Sequence, residues 1–487
     1  MATHPTHKIL MGLYSGLWRL ARPVLKRHKR LKEGFAQRLV PDSWPEFPED
    51  PEKSTSGGQK RPLCIWMQAA SGGEAWLVHS LVPALARRFE RLEGGAGQPL
   101  YLLCTTCTRQ GLEVLEKLEL NEERPDVAVL PRYFPLDSPG LMEKALKQAT
   151  PDLVVLLETE LWPGLLDAAK KASVPVLVLN ARMTEKSLAG YGLLRSFFLT
   201  VAPEEIRAVS EDDAGRFCSI FDASDRVAVM NNIKFDRLEE ASASHAVSGL
   251  RFETGFEEDS LLAVLASVRE EEEDLLLPTV RELWQRDFDG KRLALAIAPR
   301  HMHRLKAWQA KLSAEGIAWR LRSRCSVIAG DRCRDAQSGP LPLMLWDSFG
   351  DLLSLYAMAD AVFVGGSLAP LGGQNFLEPA SLGLVPVTGP HIDNFHWVGE
   401  EFFAMGLGLK AGPDELKHTL LRQLAERYAA LPRAADSEER HSIRAARRAN
   451  GRERFREWLA PRLGGSAQAA DLIVEKISAQ RELGRFR

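Results

Sequence analysis

The sequence predicts an α/β protein made of two doubly wound, Rossmann-like parallel-sheet domains in tandem. Three observations predict it. Short apolar runs recur at 63–68, 100–105, 127–130, 153–157, 174–179 and 206–209. Each is followed by a turn bearing Gly, Ser or Thr and then an amphipathic segment, the pattern of βα units. A polar stretch at 236–259 parts this half from a second series at 261–265, 293–298, 317–321, 361–364 and 385–387, interleaved with helical segments such as 270–284 and 303–315. Finally, a chain of 487 residues exceeds one core at about 100–200 residues per domain. Sheets of this kind hold ligands at the carboxyl ends of their strands and in the crevice between domains.

Composition narrows the class. Apolar residues are 45% and charged residues 26% of the chain, an ordinary globular balance that excludes disorder, collagen and a membrane bundle. Lys plus Arg (63) nearly cancels Asp plus Glu (65), so no overall basic field exists to hold nucleic acid, and none is expected as a partner. Six Cys are too few for a disulfide scaffold and fit a reduced compartment.

Taken in order, residues 1–50 form an amphipathic segment and linker. The apolar-aromatic stretch 9–18 precedes a basic block of Arg19, Arg22, Lys26, Arg27, Lys29, Arg30, Lys32 and Arg38, with Glu33 as its one acid. It is too short to span a bilayer, and its order of charge and apolarity is not that of a cleaved signal peptide. The expectation is an interfacial helix, its Leu, Tyr and Trp in the acyl boundary and its cations on anionic headgroups; the alternative is a surface helix packed on the protein's own core. Residues 41–61 are rich in Pro, Glu, Ser and Gly and read as linker. The first domain covers 51–240 and the second 250–430, and 431–487 reads as charged C-terminal helices without a domain of their own.

The chemistry is expected where strands end. After the first strand, Ser71-Gly72-Gly73-Glu74 opens a helix. Glu74 can act there as a general base on a substrate hydroxyl, or simply as a helix cap, which would look the same. Glu158 and Glu160 follow the run at 153–157 directly, on the ligand-facing edge. Lys234 closes the first domain and suits an anionic substrate. In the second domain Pro299-Arg300 ends a strand, and a guanidinium fork suits phosphate or carboxylate. From Gly365 to Pro379 a strand runs through a four-glycine loop into a helix near Asn375. Its N–H groups, including those of Gly366 and Ser367, are expected to cradle phosphate, with Glu378 accepting from a ribose. Cys104 and Cys107 read as buried thiols rather than a zinc pair, and His301 with His303 has no acidic partner motif, so no metal site is expected.

In this order the stretches resemble one family, the 3-deoxy-D-manno-octulosonic acid (Kdo) transferases of lipid A and lipopolysaccharide assembly, with the two-Rossmann GT-B architecture. The blocks that carry the resemblance are Ser71-x-Gly-Glu74, Glu158-Thr-Glu-Leu-Trp-Pro163, Asn180-Ala-Arg182, Lys234-Phe-Asp236, Pro299-Arg-His301, Asp347-Ser-Phe-Gly-Asp351, and Gly365-Gly-Ser through Asn375-x-x-Glu378-Pro. The resemblance runs from Leu13 to about Phe403. It implies inverting transfer of Kdo from CMP-Kdo to a lipid A precursor, without a metal or other cofactor, at the cytoplasmic face of the inner membrane. It implies Glu74 as the base, and one of Glu158 and Glu160 with Lys234 as transition-state stabilisers. Pro299, Arg300, Phe349, Gly350, Asp351, Gly366, Ser367, Asn375, Phe376, Leu377 and Glu378 match its CMP-binding segments. The chain departs from the family pattern at Gln374, where His is usual, at Val268-Arg269 in place of Thr-His, and at Asn231 in place of Gly. Transfer from another nucleotide sugar, or a catalytically silent lipid-binding protein of the same fold, are the competing readings.

Overall fold

The computed structural model describes residues 5–28, 31–45, 62–91, 98–118, 126–222, 224–238, 256, 260–288, 291–324, 343–348, 351–429 and 437–482. The chain divides into two compact units, Met1–Arg237 with Arg462–Arg487, and Leu238–Pro461.

The first unit is a sheet of seven parallel strands: β1 (Leu63–Gln68), β2 (Leu100–Thr106), β3 (Val127–Tyr133), β4 (Leu153–Leu157), β5 (Val176–Ala181), β6 (Glu205–Ala208) and β7 (Val227–Val229). Their spatial order is β3-β2-β1-β4-β5-β6-β7, so the winding reverses between β1 and β4. These two central strands are buried along their whole length. That is why they read as continuous rather than alternating apolar runs: helices cover both faces of a parallel sheet. On one face lies the helix Gly72–Glu90, and over it the C-terminal helix Gly465–Glu482, which buries Ala469, Ala470, Leu472, Ile473 and Ile477 in the same core. Gly465 allows this return, because a Cβ there would lie 2.4 Å from the Asn231 carbonyl oxygen. Asp236 then accepts from the Gly464 N–H (2.8 Å) and the Ser466 N–H (2.6 Å), capping that helix. The charged tail is therefore no separate body. Helices Pro413–Ala429 and Ser437–Leu459 belong to the second unit and only Gly465–Glu482 to the first.

The opposite face holds the N-terminal helix Pro5–Leu25. His7 Nε2 lies 2.7 Å from Asp167, Met11 is buried, and the Tyr14 hydroxyl donates to Asp137 (2.9 Å). Tyr14 and Trp18 thus turn partly inward, against the expectation that they face outward. The outward face carries a different stripe, Ile9, Leu13, Leu17, Leu20 and Val24, each more than 60% exposed. Their spacing of four, four, three and four residues places them on one side of a helix. Part of the expected linker is core instead: Trp44 is buried, its ring edge-on to Trp66 at 5.5 Å, next to the buried Val40 that precedes the linker. Residues 46–61 lie outside the described set.

The second unit has β8 (Leu261–Val268), β9 (Asp287–Phe288), β10 (Lys291–Pro299), β11 (Trp319–Leu321), β12 (Leu343–Leu345), β13 (Ala361–Val364), β14 (Val387–Thr388) and β15 (Leu409–Lys410). Seven are parallel in the order β11-β12-β10-β8-β13-β14-β15, while β9 pairs antiparallel with β10. The reversal falls between β8 and β13. Each unit is thus a doubly wound sheet in its own right.

Candidate active site

In the first unit the expected residues converge on the carboxyl ends of the strands that flank the reversal. β1 ends at Gln68 and leads through Ser71 into the helix Gly72–Glu90, which puts Glu74 in its first turn. The Glu74 carboxylate accepts from the Ala70 N–H (2.7 Å) and from the Ser71 hydroxyl (2.9 Å), while its own N–H bonds the Ser71 oxygen (3.4 Å). The residue is both a cap and part of a charge cluster. Burial and the nearby Glu158 push its pKa up, and Ser71, Ala70 and Lys234 hold the rise in check.

β4 ends at Leu157, and Glu158 adopts a left-handed backbone (φ 61°) that turns the chain over the sheet edge. Its carboxylate pairs with Lys234 Nζ and lies 3.9 Å from an Arg182 guanidinium nitrogen. Two residues on, Glu160 accepts from the Trp162 indole N–H. Burial, with Glu74 next, pushes Glu160 up to about 8, so it is protonated at neutral pH. The two acids of this turn are therefore electrically different: Glu158 carries the cation contacts and Glu160 holds a proton.

Several supporting groups were given no role by the sequence. Asn180, fully buried at the end of β5 with φ 54°, accepts from the Ile233 N–H (2.8 Å), and Asn232 accepts from the Lys234 N–H (3.0 Å). Together they fix the turn that aims Lys234. Gln68, also fully buried, accepts from Thr105 (2.6 Å) and donates toward the Cys107 sulfur (3.6 Å). Burial, with Glu160 adding to it, drives the Cys107 thiol up to about 12; it is a neutral wall of the site rather than a nucleophile. Asp137, fully buried, accepts from the Gly164 and Leu165 N–H groups (2.8 Å each) beside Trp162 and from Tyr14, and burial pushes it up to about 7. The left-handed backbones and buried amides follow from tertiary contacts, and no spacing signal announces them.

The second unit corrects one expectation. The glycine turn after β13 does not offer its first N–H groups to a phosphate. Glu272, fully buried, accepts from Gly366 (2.6 Å), Ser367 (2.8 Å) and Leu368 (2.8 Å), and from the Arg269 N–H (3.0 Å). An internal carboxylate already fills the anion position. Gly365 permits it, since a Cβ there would lie 2.9 Å from the Glu272 oxygen. Ser367 is buried too, donating to the Val364 carbonyl and accepting from the Gly389 N–H. The helix that follows, Leu377–Ser381, has five residues, and the Asn375 side chain caps its first N–H. Phe376 and Leu377 are buried; Phe376 packs against Phe395, Phe402 and Phe403 and so presents no ring to a ligand.

What stays part-exposed at this edge is Gln374, Asn375, Glu378 and Asp351, with Arg300 exposed at the end of β10. Asn375 donates to Glu378 (2.9 Å), and Pro299 is buried beneath Arg300. Ser267 has φ 55°, and His301 stacks on His303 at 5.5 Å. Burial and the Arg269 and Arg300 charges hold His301 below its usual pKa. Phe349 and Gly350 lie outside the described residues.

The chain is similar to known proteins over most of its length. Residues 38–237 match the family described as 3-deoxy-D-manno-octulosonic-acid transferase (kdotransferase). The chain is 31% identical over 357 residues to a 3-deoxy-D-manno-octulosonic acid transferase of Bordetella pertussis, covering 72% of this chain and 76% of the relative. It is 27% identical to the protein of the same description in Haemophilus influenzae, covering 69% and 72%. A glycosyltransferase structure from Rickettsia africae ESF-5 aligns over 86% of this chain and 99% of its own, at 12% identity and a TM-score of 0.51, a likeness of fold.

Proposed function

Since the chain belongs to the 3-deoxy-D-manno-octulosonic acid (Kdo) transferase family and is a glycosyltransferase of the GT-B fold, we propose that it moves Kdo from CMP-Kdo to the lipid A precursor lipid IVA. The transfer inverts the sugar carbon and uses no metal ion. The observation that carries the reading is the first unit's cluster: Glu74, with a raised pKa, beside Glu158, Glu160 and Lys234.

A general base works best when its pKa approaches the working pH, and burial moves Glu74 in that direction. Glu74 takes the proton of the acceptor hydroxyl as that oxygen bonds to the sugar carbon. The bond from that carbon to the phosphate oxygen breaks on the opposite side, and CMP leaves with the electron pair. Lys234 supplies positive charge as negative charge develops, and Glu158 orients it. Glu160, protonated at neutral pH, does not compete with Glu74 for the acceptor proton.

On the donor side Arg300 is the charged partner for the single phosphate, with Asp351, Asn375 and Glu378 in supporting polar contacts. Gly366 and Ser367 shape that site through the turn they form, not through their N–H groups. An acceptor embedded in lipid suits attachment by the exposed stripe of helix Pro5–Leu25. Its apolar face would lie in the acyl boundary of the inner membrane, cytoplasmic side, with Arg19, Arg22, Lys26 and Arg27 on anionic headgroups. No described helix is long and apolar enough to cross a membrane.

The test is to incubate the full chain with CMP-Kdo and a tetra-acylated lipid A precursor, with a chelator present, and to weigh the acceptor by mass spectrometry. The expected result is an acceptor heavier by Kdo. An unmodified acceptor, or modification only when a UDP-sugar replaces CMP-Kdo, would overturn the reading.

A further inference from the structure

A second cation stands beside Lys234 among the acids of the first unit. Arg182 directly follows β5, and β5 pairs with β4, whose end carries Glu158. The backbone at this point is held firmly. Asn180 has φ 54°, and the register of β5 against β6 shifts between Val178 and Ala181, an irregularity that re-aims the side chains beyond it. The Arg182 carbonyl then accepts from the Thr159 hydroxyl, and the Met183 N–H donates to Asp213 (2.8 Å).

The guanidinium is held far less. Its ion pair among the described residues is with Glu158 at 3.9 Å, beyond hydrogen-bond reach, and on the same oxygen that meets Lys234. The other acids of this corner are engaged elsewhere. Asp213 accepts from Met183, from the Ser210 hydroxyl (2.7 Å) and from Arg216 (3.3 Å), and Glu185 pairs with Arg216 at 2.7 Å. Yet the Arg182 side chain is only 21% exposed. A guanidinium withdrawn this far from water, with five N–H donors and no described acceptor within hydrogen-bond distance, is costly to leave so. It faces the ligand edge of the sheet, and its planar fork fits the oxygens of a phosphate.

The same unit carries Glu74, the base that takes the acceptor proton, whereas Arg300 of the other unit is the charged partner of CMP. The anion that Arg182 meets therefore belongs to the acceptor, and a lipid A precursor is a sugar lipid that bears phosphate. We propose that Arg182 binds a phosphate group of the acceptor and sets the preference for a phosphorylated one, an inference that rests on the function proposed above.

The test measures kcat and KM for the tetra-acylated precursor at saturating CMP-Kdo in the parent, Arg182→Gln and Arg182→Lys, then repeats both with the same acceptor stripped of phosphate. On the phosphorylated acceptor, Arg182→Gln raises the acceptor KM by about 10–100-fold, the scale of a lost charge-assisted hydrogen bond, and leaves the KM for CMP-Kdo at the parent value. Arg182→Lys keeps the charge without the fork and recovers part of the loss. On the stripped acceptor all three share one low kcat/KM, because the group that Arg182 meets is gone. Should a lowered Tm show that Arg182→Gln folds poorly, the Lys variant decides. Its preference for the phosphorylated acceptor, as a ratio of kcat/KM, is smaller than the parent's; an equal preference overturns the proposal. An unchanged acceptor KM overturns it too. A fall in kcat alone would make Arg182 a support of Glu158, and a rise only in the KM for CMP-Kdo would assign it to the donor. A parent that transfers Kdo while the variants match it on both acceptors sinks the role of Arg182 alone, whereas a parent that transfers none sinks the proposed function with it.

Discussion

The first unit's Glu74 and the second unit's Glu272 both follow the opening strand of their sheets, and the two are used in opposite ways. Glu272 is fully buried and accepts four backbone N–H groups. Its oxygens are filled, and it holds the glycine turn in shape. Glu74 has one backbone donor and one hydroxyl, and shares its surroundings with Glu158 and Glu160. A carboxylate saturated by the main chain is scaffolding. One held by a light cap among other acids keeps capacity for a proton.

Removing the strut breaks the comparison most directly. Glu272→Ala leaves four donors without their acceptor, at a cost of about 4 kcal/mol or more. The second unit should lose cooperative unfolding in calorimetry while the first retains it; a parent-like melting curve would show that Glu272 is no strut. A smaller effect is expected at the exposed stripe. Leu13→Ser, Leu17→Ser and Leu20→Ser each remove about 1–2 kcal/mol of apolar burial in lipid. The triple variant should detach from anionic vesicles in flotation with Tm unchanged, and retention at the parent level would rule out this face as the membrane contact.

The subtlest test uses pH. Glu160 is pushed from its usual 4.5 to about 8 in the folded state, so the native state keeps a proton that the unfolded chain releases. This charge penalty is absent below pH 4.5, grows as pH rises toward 8 and is constant above it. Glu160→Gln should therefore gain stability relative to the parent across that window in urea melts, and a difference that stays flat with pH would remove the perturbed acid from the site.

How much of this was legible in the sequence depended on whether a feature is local. β1, β4 and β13 fall at the expected residues because four to six apolar residues between turn signals are too few for a buried helix and read as a covered strand. β7, β9, β12 and β15 were missed: two or three residues carry no period to read. The acids of the first unit were legible because strand ends announce them, and Lys234 because it closes the domain. Glu272 was not, since its role exists only once the turn at 366–368 folds over it. The phosphate cradle assigned to Gly366 and Ser367 failed for the same reason: glycine-rich turns signal close approach, and the sequence does not say that an internal carboxylate makes it. The N-terminal helix is similarly two-sided. Its apolar content was plain, but only packing separates Met11 and Tyr14, which face inward, from Leu13 and Leu17, which face out.

The central claim is that Glu74 removes the acceptor proton, and single-turnover transfer by Glu74→Gln tests it most directly. With CMP-Kdo and lipid acceptor saturating, transfer should fall by about 10²–10⁴-fold, with Tm and vesicle binding at parent values. Transfer at the parent rate by a folded Glu74→Gln protein would contradict the account and leave Glu74 a helix cap and nothing more.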